Sequence, residues 1–335
     1  MYFFKNIFIR LTLALLRFVP PELASQISLI SIKYFDFLNI NFKTISNKSS
    51  FKKIKIMNLT FDHYLGLSAG IDKSGKYFDS LNSLGFSFIE VGTFTPLPQR
   101  GNNYPRIKRL PNKSLINSLG FNNPGILDGI RNIRKNKHNY SGVLGISIGK
   151  NKSTPLDKAY EDYNFCLEHC FKDADYIAIN ISSPNTLDLR KLSSTNYIDD
   201  LTREINLKRE KLEKKHLKKV PILLKLSPDE NEENLQKIIS TALSNNFSGF
   251  IISNTMKGTL RGISGGISGD LLKNKSGEML RKVQGLVGDE VTLIASGGIS
   301  TKVDVEERLD NGAKLIQIYT SFVYRGPSIV NELLN

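Results

Sequence analysis

At 335 residues the chain is long enough for one large domain with an appendage, and at 40% apolar residues it is too rich in core formers to be a disordered chain. Two cysteines exclude a disulfide framework; Cys166 and Cys170, four apart in a predicted helix, read as small packing residues in a reducing compartment. The net charge of +14 asks for an anionic partner, but no aromatic platform or nucleic-acid motif accompanies it, so no nucleic acid is expected. The densest basic run, Lys208 to Lys219, is interspersed with glutamates in the manner of a solvated helix face.

The first predicted element is an amphipathic helix over Tyr2–Val19, stopped by Pro20 and Pro21. Asn6, Arg10 and Arg17 share one side of its wheel, and most of the remainder is aliphatic or aromatic. Cations spread through the segment are costly inside a bilayer, which predicts a helix lying in the headgroup plane of an anionic membrane. The same distribution, and Pro-Pro-Glu where a small-residue cleavage site would stand, disfavour a signal peptide; an amphipathic helix packed on its own domain is the alternative. A second apolar helix is predicted from Glu22 to about Leu38, and the polar run Asn41–Ser50 reads as a linker. This divides the chain into a helical cap, residues 1–45, and a larger domain, residues 46–335.

From residue 54 onward, eight short apolar runs suit buried parallel strands: Tyr64–Ser68, Ser87–Val91, Val143–Ile148, Tyr176–Ile181, Ile222–Leu226, Gly249–Ser253, Thr292–Ala295 and Leu315–Tyr319. Helix-compatible stretches separate most of them, with a long excursion between Gly92 and Asn123. The prediction is an α/β fold, a (β/α)8 TIM barrel carrying a small N-terminal helical membrane-associating extension. Glycines, amides, hydroxyls and two lysines, Lys73 and Lys225, collect where the runs end. In such a barrel those ends converge on the face that carries the active site. Gly297-Gly298 after the seventh run and Thr320-Ser321 after the eighth occupy the usual phosphate position, where glycine lets backbone N–H groups approach phosphate oxygens.

Several of these segments together resemble the dihydroorotate dehydrogenase family, over nearly the whole barrel. They are Leu65 through Lys73, Glu90-Val-Gly-Thr-Phe-Thr-Pro96, Ile116 through Asn123, Gly145 through Lys152, Ile177 through Thr186 and Gly265-Gly-Ile-Ser-Gly269. Asn180-Ile-Ser-Ser-Pro-Asn185 with Thr186 is the specific one. The resemblance implies oxidation of dihydroorotate to orotate, a step of pyrimidine biosynthesis, with FMN taking the hydride. It implies Ser183 as the catalytic base, and serine rather than cysteine there points to the class that hands its electrons to a membrane quinone. By the same resemblance Lys225 stabilises the reduced flavin, and Lys73 lies between flavin and substrate.

Substrate is expected at Lys73, Asn117, Ser118, Leu119, Gly120, Phe121, Asn180, Asn185, Asn254 and Thr255, where side-chain amides offer donors and acceptors to a planar ligand. Cofactor is expected at Ala69, Gly70, Ile71, Asp72, Lys73, Thr93, Ser147, Asn180, Lys225, Ser253, Gly269, Gly298, Tyr319 and Thr320. No metal site is expected. Arg109 and Tyr319 are expected on the quinone side. The chain departs from the family pattern at Ser147 (usually asparagine), at Ser253 and Thr320 (each keeping a hydroxyl), and at Ser25 in the cap (usually histidine). The alternative is a divergent flavoprotein of the same fold with an altered acceptor or lost activity. Composition and the short cap predict a peripheral protein on the cytoplasmic side of a bacterial inner membrane.

Overall fold

The computed structural model describes residues 9, 11–38, 40, 51–186, 188–193 and 195–335. Eight parallel strands close into a barrel. We number them in chain order: β1 Leu65–Leu67, β2 Phe88–Phe94, β3 Val143–Ile148, β4 Tyr176–Asn180, β5 Ile222–Lys225, β6 Gly249–Ile252, β7 Thr292–Ser296 and β8 Leu315–Ile318. Each pairs with the next, and β8 pairs with β1 through Ile316 to Leu65 and Ile318 to Leu67. All eight predicted runs are barrel strands, because a strand covered by side chains within and helices without must be apolar on both faces. β2 extends beyond its predicted end to Phe94, which brings Thr93 into the strand.

The barrel interior is filled at its N-terminal end by Phe61, Phe88, Tyr176, Leu223, Ile294 and neighbours. Phe61 comes from a hairpin, Ile54–Ile56 with Leu59–Phe61, and meets Phe88 edge to face with ring centroids 5.4 Å apart. Gly145 in β3 makes room for the ring of Tyr176; a Cβ there would stand 2.2 Å from that ring. Outside the barrel the helices bury a second apolar layer that includes Cys166 and Cys170, both fully buried and unpaired by disulfide, as expected of packing residues. The basic run lies on the helix Thr195–His216 and the turn after it, where Lys208 reaches Glu168 at 2.5 Å and Arg209 pairs with Glu213 at 3.7 Å.

Sequence periodicity did not foresee a four-stranded antiparallel sheet above the active-site end. Ile107–Leu110 and Ser114–Asn117 from the excursion after β2 join Met256–Leu260 and Ile263–Gly269 from an excursion after β6. The pairing Asn117 to Gly266 spans 149 positions of sequence, beyond the reach of any local signal.

Residues 11–16 are helical, and the second helix runs Pro21–Phe37, starting with proline at its first position and Glu22 in its first turn. Residues 1–8, residue 10 and the predicted linker 41–50 lie outside the described residues. The cap is tied to the sheet by two arginines. Arg109 donates to the carbonyls of Leu16, Arg17 and Val19 at 2.9–3.2 Å, satisfying the open end of the first helix. Arg106 forms a fork with the carboxylate of Glu22 at 2.5–3.0 Å. Leu11, Leu15, Phe18, Leu23, Ile27, Ile30, Tyr34 and Phe37 face outward, Phe18 being 90% exposed. No helix among the described residues is long and apolar enough to cross a membrane.

Candidate active site

The C-terminal ends of the strands open into one cavity. Its wall includes Ala69, Gly70, Lys73, Thr93, Asn117, Leu119, Gly120, Phe121, Asn180, Ser183, Asn185, Lys225, Ser253, Asn254, Thr255, Gly269, Gly298, Tyr319 and Thr320. Nineteen of the 23 residues expected to act in catalysis or to contact substrate or cofactor therefore share one wall.

Four asparagines form two hydrogen-bonded pairs along one side. Asn185 Nδ2 donates to Asn117 Oδ1 at 2.8 Å, and Asn254 Nδ2 donates to Asn180 Oδ1 at 3.2 Å and to Ser182 Oγ at 3.0 Å. Asn180 Nδ2 continues to Thr93 Oγ1 at 3.0 Å. Among the described residues Asn185 Oδ1 is buried without a donor, so this pair of amides keeps acceptor capacity for a ligand. Ser183 is buried in the loop after β4, and its Oγ accepts the Asn185 N–H at 3.3 Å. A short polar loop after a buried strand presents it there.

Lys225 ends β5 on the cavity floor, 3.3 Å from Ser68 Oγ and 3.8 Å from Glu90 Oε1. Glu90, wholly buried on β2, also accepts from Gln317 Nε2 at 2.8 Å and from the Tyr176 hydroxyl at 3.0 Å. Burial and the neighbouring carboxylate push the Tyr176 phenol well above its ordinary range, so it stays a donor. Lys73 donates to the Gly70 carbonyl at 2.5 Å; burial pulls its ammonium down to about 8 against the opposing pull of Glu22, so its charge is lost as pH rises through that value. Gly70 has φ +98, a backbone geometry that glycine tolerates, and the Tyr319 ring lies 3.2 Å from where its Cβ would stand.

The opposite end of the cavity is made of Gly269, Gly297, Gly298, Thr320 and Ser321. The Ser321 hydroxyl is buried with no partner among the described residues. A Cβ on Gly298, whose φ is +71, would stand 2.3 Å from Lys273 Cα. Thr320 opens the helix Thr320–Arg325 directly after β8. Small residues, an orphaned hydroxyl and close backbone suit a phosphate group.

Four predicted residues stand apart from this wall. Ile71 and Asp72 face a second cavity, and the Asp72 carboxylate is occupied by the N–H groups of Ser74, Gly75, Lys76 and Tyr77. Ser118 gives its N–H to the Arg106 carbonyl at 2.8 Å. Ser147 is fully buried behind Thr93, oxygen to oxygen 2.9 Å, so its shorter side chain ends on a hydroxyl before it reaches the cavity. Sequence reading missed Glu90 and Gln317, whose polar groups inside apolar strands were the available signal.

The second cavity runs beneath the cap helices. It is lined by Leu13, Leu16, Leu29, Ile32, Phe35 and Phe322 among others, with Ser25 and Arg109 also on its wall. Lys73, Leu119, Asn122, Tyr319 and Tyr324 line both cavities, so the two meet there.

A family model described as dihydroorotate dehydrogenase matches residues 52–335. The chain belongs to the dihydroorotate dehydrogenase family. Its relatives include the dihydroorotate dehydrogenase (quinone) of Vibrio atlanticus, 42% identical over 291 residues and covering 84% of this chain and 86% of the relative. The enzyme of the same name from Burkholderia cenocepacia is 43% identical over 285 residues, covering 83% and 82%. A crystal structure of DHODH from Eimeria tenella in complex with ferulenol superposes with a TM-score of 0.85 at 30% identity, covering 93% of this chain and 89% of that one. The small-residue end with Ser321 and the floor lysine Lys225 would suit the flavin cofactor that the family implies, the first by space and a free hydroxyl among the described residues, the second by its ammonium.

Proposed function

We propose that the protein oxidises dihydroorotate to orotate with FMN as the bound cofactor and a membrane quinone as the final acceptor. The observation that carries the reading is the placement of Ser183, four asparagines, Lys73 and Lys225 on one wall that joins an apolar cavity under the cap. FMN would supply the hydride acceptor and the link between the two half-reactions. Gly269, Gly298, Thr320 and Ser321 would hold its phosphate, and Lys225 its electron-rich carbonyl edge. Asn117, Asn180, Asn185 and Asn254 would clamp the substrate's amide groups and carboxylate. Ser183 Oγ would take the proton from the carbon beside the substrate carbonyl. A serine is a weak base, so the loop must pass that proton onward through hydroxyl groups or water.

In this reading residues 1–45 form the cap and residues 46–335 the catalytic barrel. The outward apolar row on the cap would lie on an anionic bilayer, with quinone entering beneath it. The bacterial relatives suit a peripheral protein on the cytoplasmic side of an inner membrane. Leu15→Glu together with Phe18→Glu should abolish cosedimentation with anionic vesicles while leaving flavin reduction by dihydroorotate unchanged. Retained binding would overturn the membrane assignment.

The deciding experiment for the activity is an anaerobic visible spectrum. The FMN-reconstituted protein should be yellow, bleach on addition of dihydroorotate and recover on addition of a quinone. A colourless protein, or a yellow one that dihydroorotate does not bleach, would sink the proposal.

A further inference from the structure

Outside both cavities, one side chain ties together three of the loops that build the first. Arg190 lies on the short turn Leu189–Ser193, anchored by the buried Leu189 and Leu192. Its guanidinium makes three separate contacts. Nε donates to the Ser182 carbonyl at 2.9 Å, Nη2 to the Thr255 carbonyl at 2.9 Å, and Nη1 to Asp229 Oδ2 at 2.6 Å. Those partners stand on the loops after β4, β6 and β5 respectively. Asp229 is itself held by the Lys257 N–H at 2.7 Å and by a close ion pair with Lys275.

The residues so held are the immediate neighbours of the chemistry. Ser182 precedes Ser183, and Thr255 follows Asn254. Asn254 and Ser182 touch on the cavity side as well, Nδ2 to Oγ at 3.0 Å, so the two loops are joined inside by an amide and outside by the guanidinium. A planar fork with fixed donors can set the spacing of two carbonyls in a way that a lysine cannot. Proton transfer needs the base within hydrogen-bond reach of its target, and displacement by about 1 Å costs on the order of 10²-fold in rate.

We propose that Arg190, held by Asp229, is a positioning residue that sets Ser183 against the substrate clamp at Asn254. The inference rests on the function proposed above. Its test is rapid-mixing kinetics on the FMN-loaded enzyme, following flavin reduction by dihydroorotate and reoxidation by quinone separately. Arg190→Ala should slow reduction about 100-fold at saturating dihydroorotate, with reoxidation unchanged. Arg190→Lys, which keeps the charge and loses the fork, should recover only part of the rate. Asp229→Asn, which keeps the shape and weakens the hold on Arg190, should slow reduction about tenfold, and it carries the test if Arg190→Ala does not fold. A purely structural role would lower FMN occupancy and both half-reactions in equal proportion, and that result would overturn the proposal. So would reduction within about threefold of wild type in both Arg190→Ala and Asp229→Asn. Failure of the wild-type protein to bleach with dihydroorotate would instead overturn the proposed function.

Discussion

Ser183→Ala should slow flavin reduction by dihydroorotate by about 10²–10⁴-fold, the usual contribution of a positioned general base. Reoxidation of the flavin by quinone should proceed at the wild-type rate, because the second cavity reaches the shared wall at Lys73 and Tyr319 and Ser183 does not line it. The competing account makes Ser183 a turn residue that fixes the chain before Pro184. Among the described residues its Oγ has one bond, accepting the Asn185 N–H at 3.3 Å, which is long for a structural anchor. Loss of that bond alone would cost about 0.5–1.5 kcal/mol, a stability effect that would not separate the two half-reactions. Single-turnover measurements of each half-reaction decide the matter: equal loss in both, or undiminished reduction, removes Ser183 from the role of base. Ser183→Cys offers a second reading of the same site, since a thiol of similar size should restore part of the reduction rate if proton acceptance is what the position supplies.

Glu90→Gln should destabilise the protein by about 3–5 kcal/mol, the usual cost of leaving one member of a buried ion pair without its partner. Glu90 is wholly buried, Lys225 is 5% exposed, and they lie 3.8 Å apart under the cavity. Among the described residues Glu90 Oε1 has no hydrogen-bond donor, so Lys225 is its compensating charge. Gln keeps the size and can still accept from Tyr176, but it removes the anion. The pair can be isolated by a thermodynamic cycle. Lys225→Met alone strands the carboxylate, whereas Glu90→Gln with Lys225→Met strands neither. The double variant should therefore be more stable than the sum of the single effects predicts, by about 1 kcal/mol or more. Thermal unfolding of the four proteins provides the check, and strict additivity would show that Glu90 and Lys225 do not compensate each other. The same cycle separates architecture from chemistry, because the double variant should fold and still lose reduction for want of Lys225.

Much of this protein is legible in its sequence because barrel strands are local objects. Each is a few consecutive apolar residues followed by the polar group it presents, so Lys225 at the end of Ile222–Lys225 and Asn180 at the end of Tyr176–Asn180 can be found without knowing what lies beside them. The rule that such ends converge then brings distant residues to one wall, and the specific run from Asn180 to Asn185 names the chemistry. Apolar faces on the cap helices are equally local, since helical spacing alone aligns Leu23, Ile27, Ile30, Tyr34 and Phe37.

Other features depend on pairs far apart in the chain and emerge only when it folds. Asn117 meets Gly266 because two excursions share a sheet, and nothing in either segment announces the other. Ser147 looks like a cofactor contact by position, yet its short side chain ends on Thr93. Asp72 looks like one as well, yet four backbone N–H groups claim its carboxylate. Glu90 is the converse case, a carboxylate inside an apolar strand whose partners Tyr176, Lys225 and Gln317 come from β4, β5 and β8. Periodicity reports which way a side chain points, but the charge it meets there is set by barrel closure.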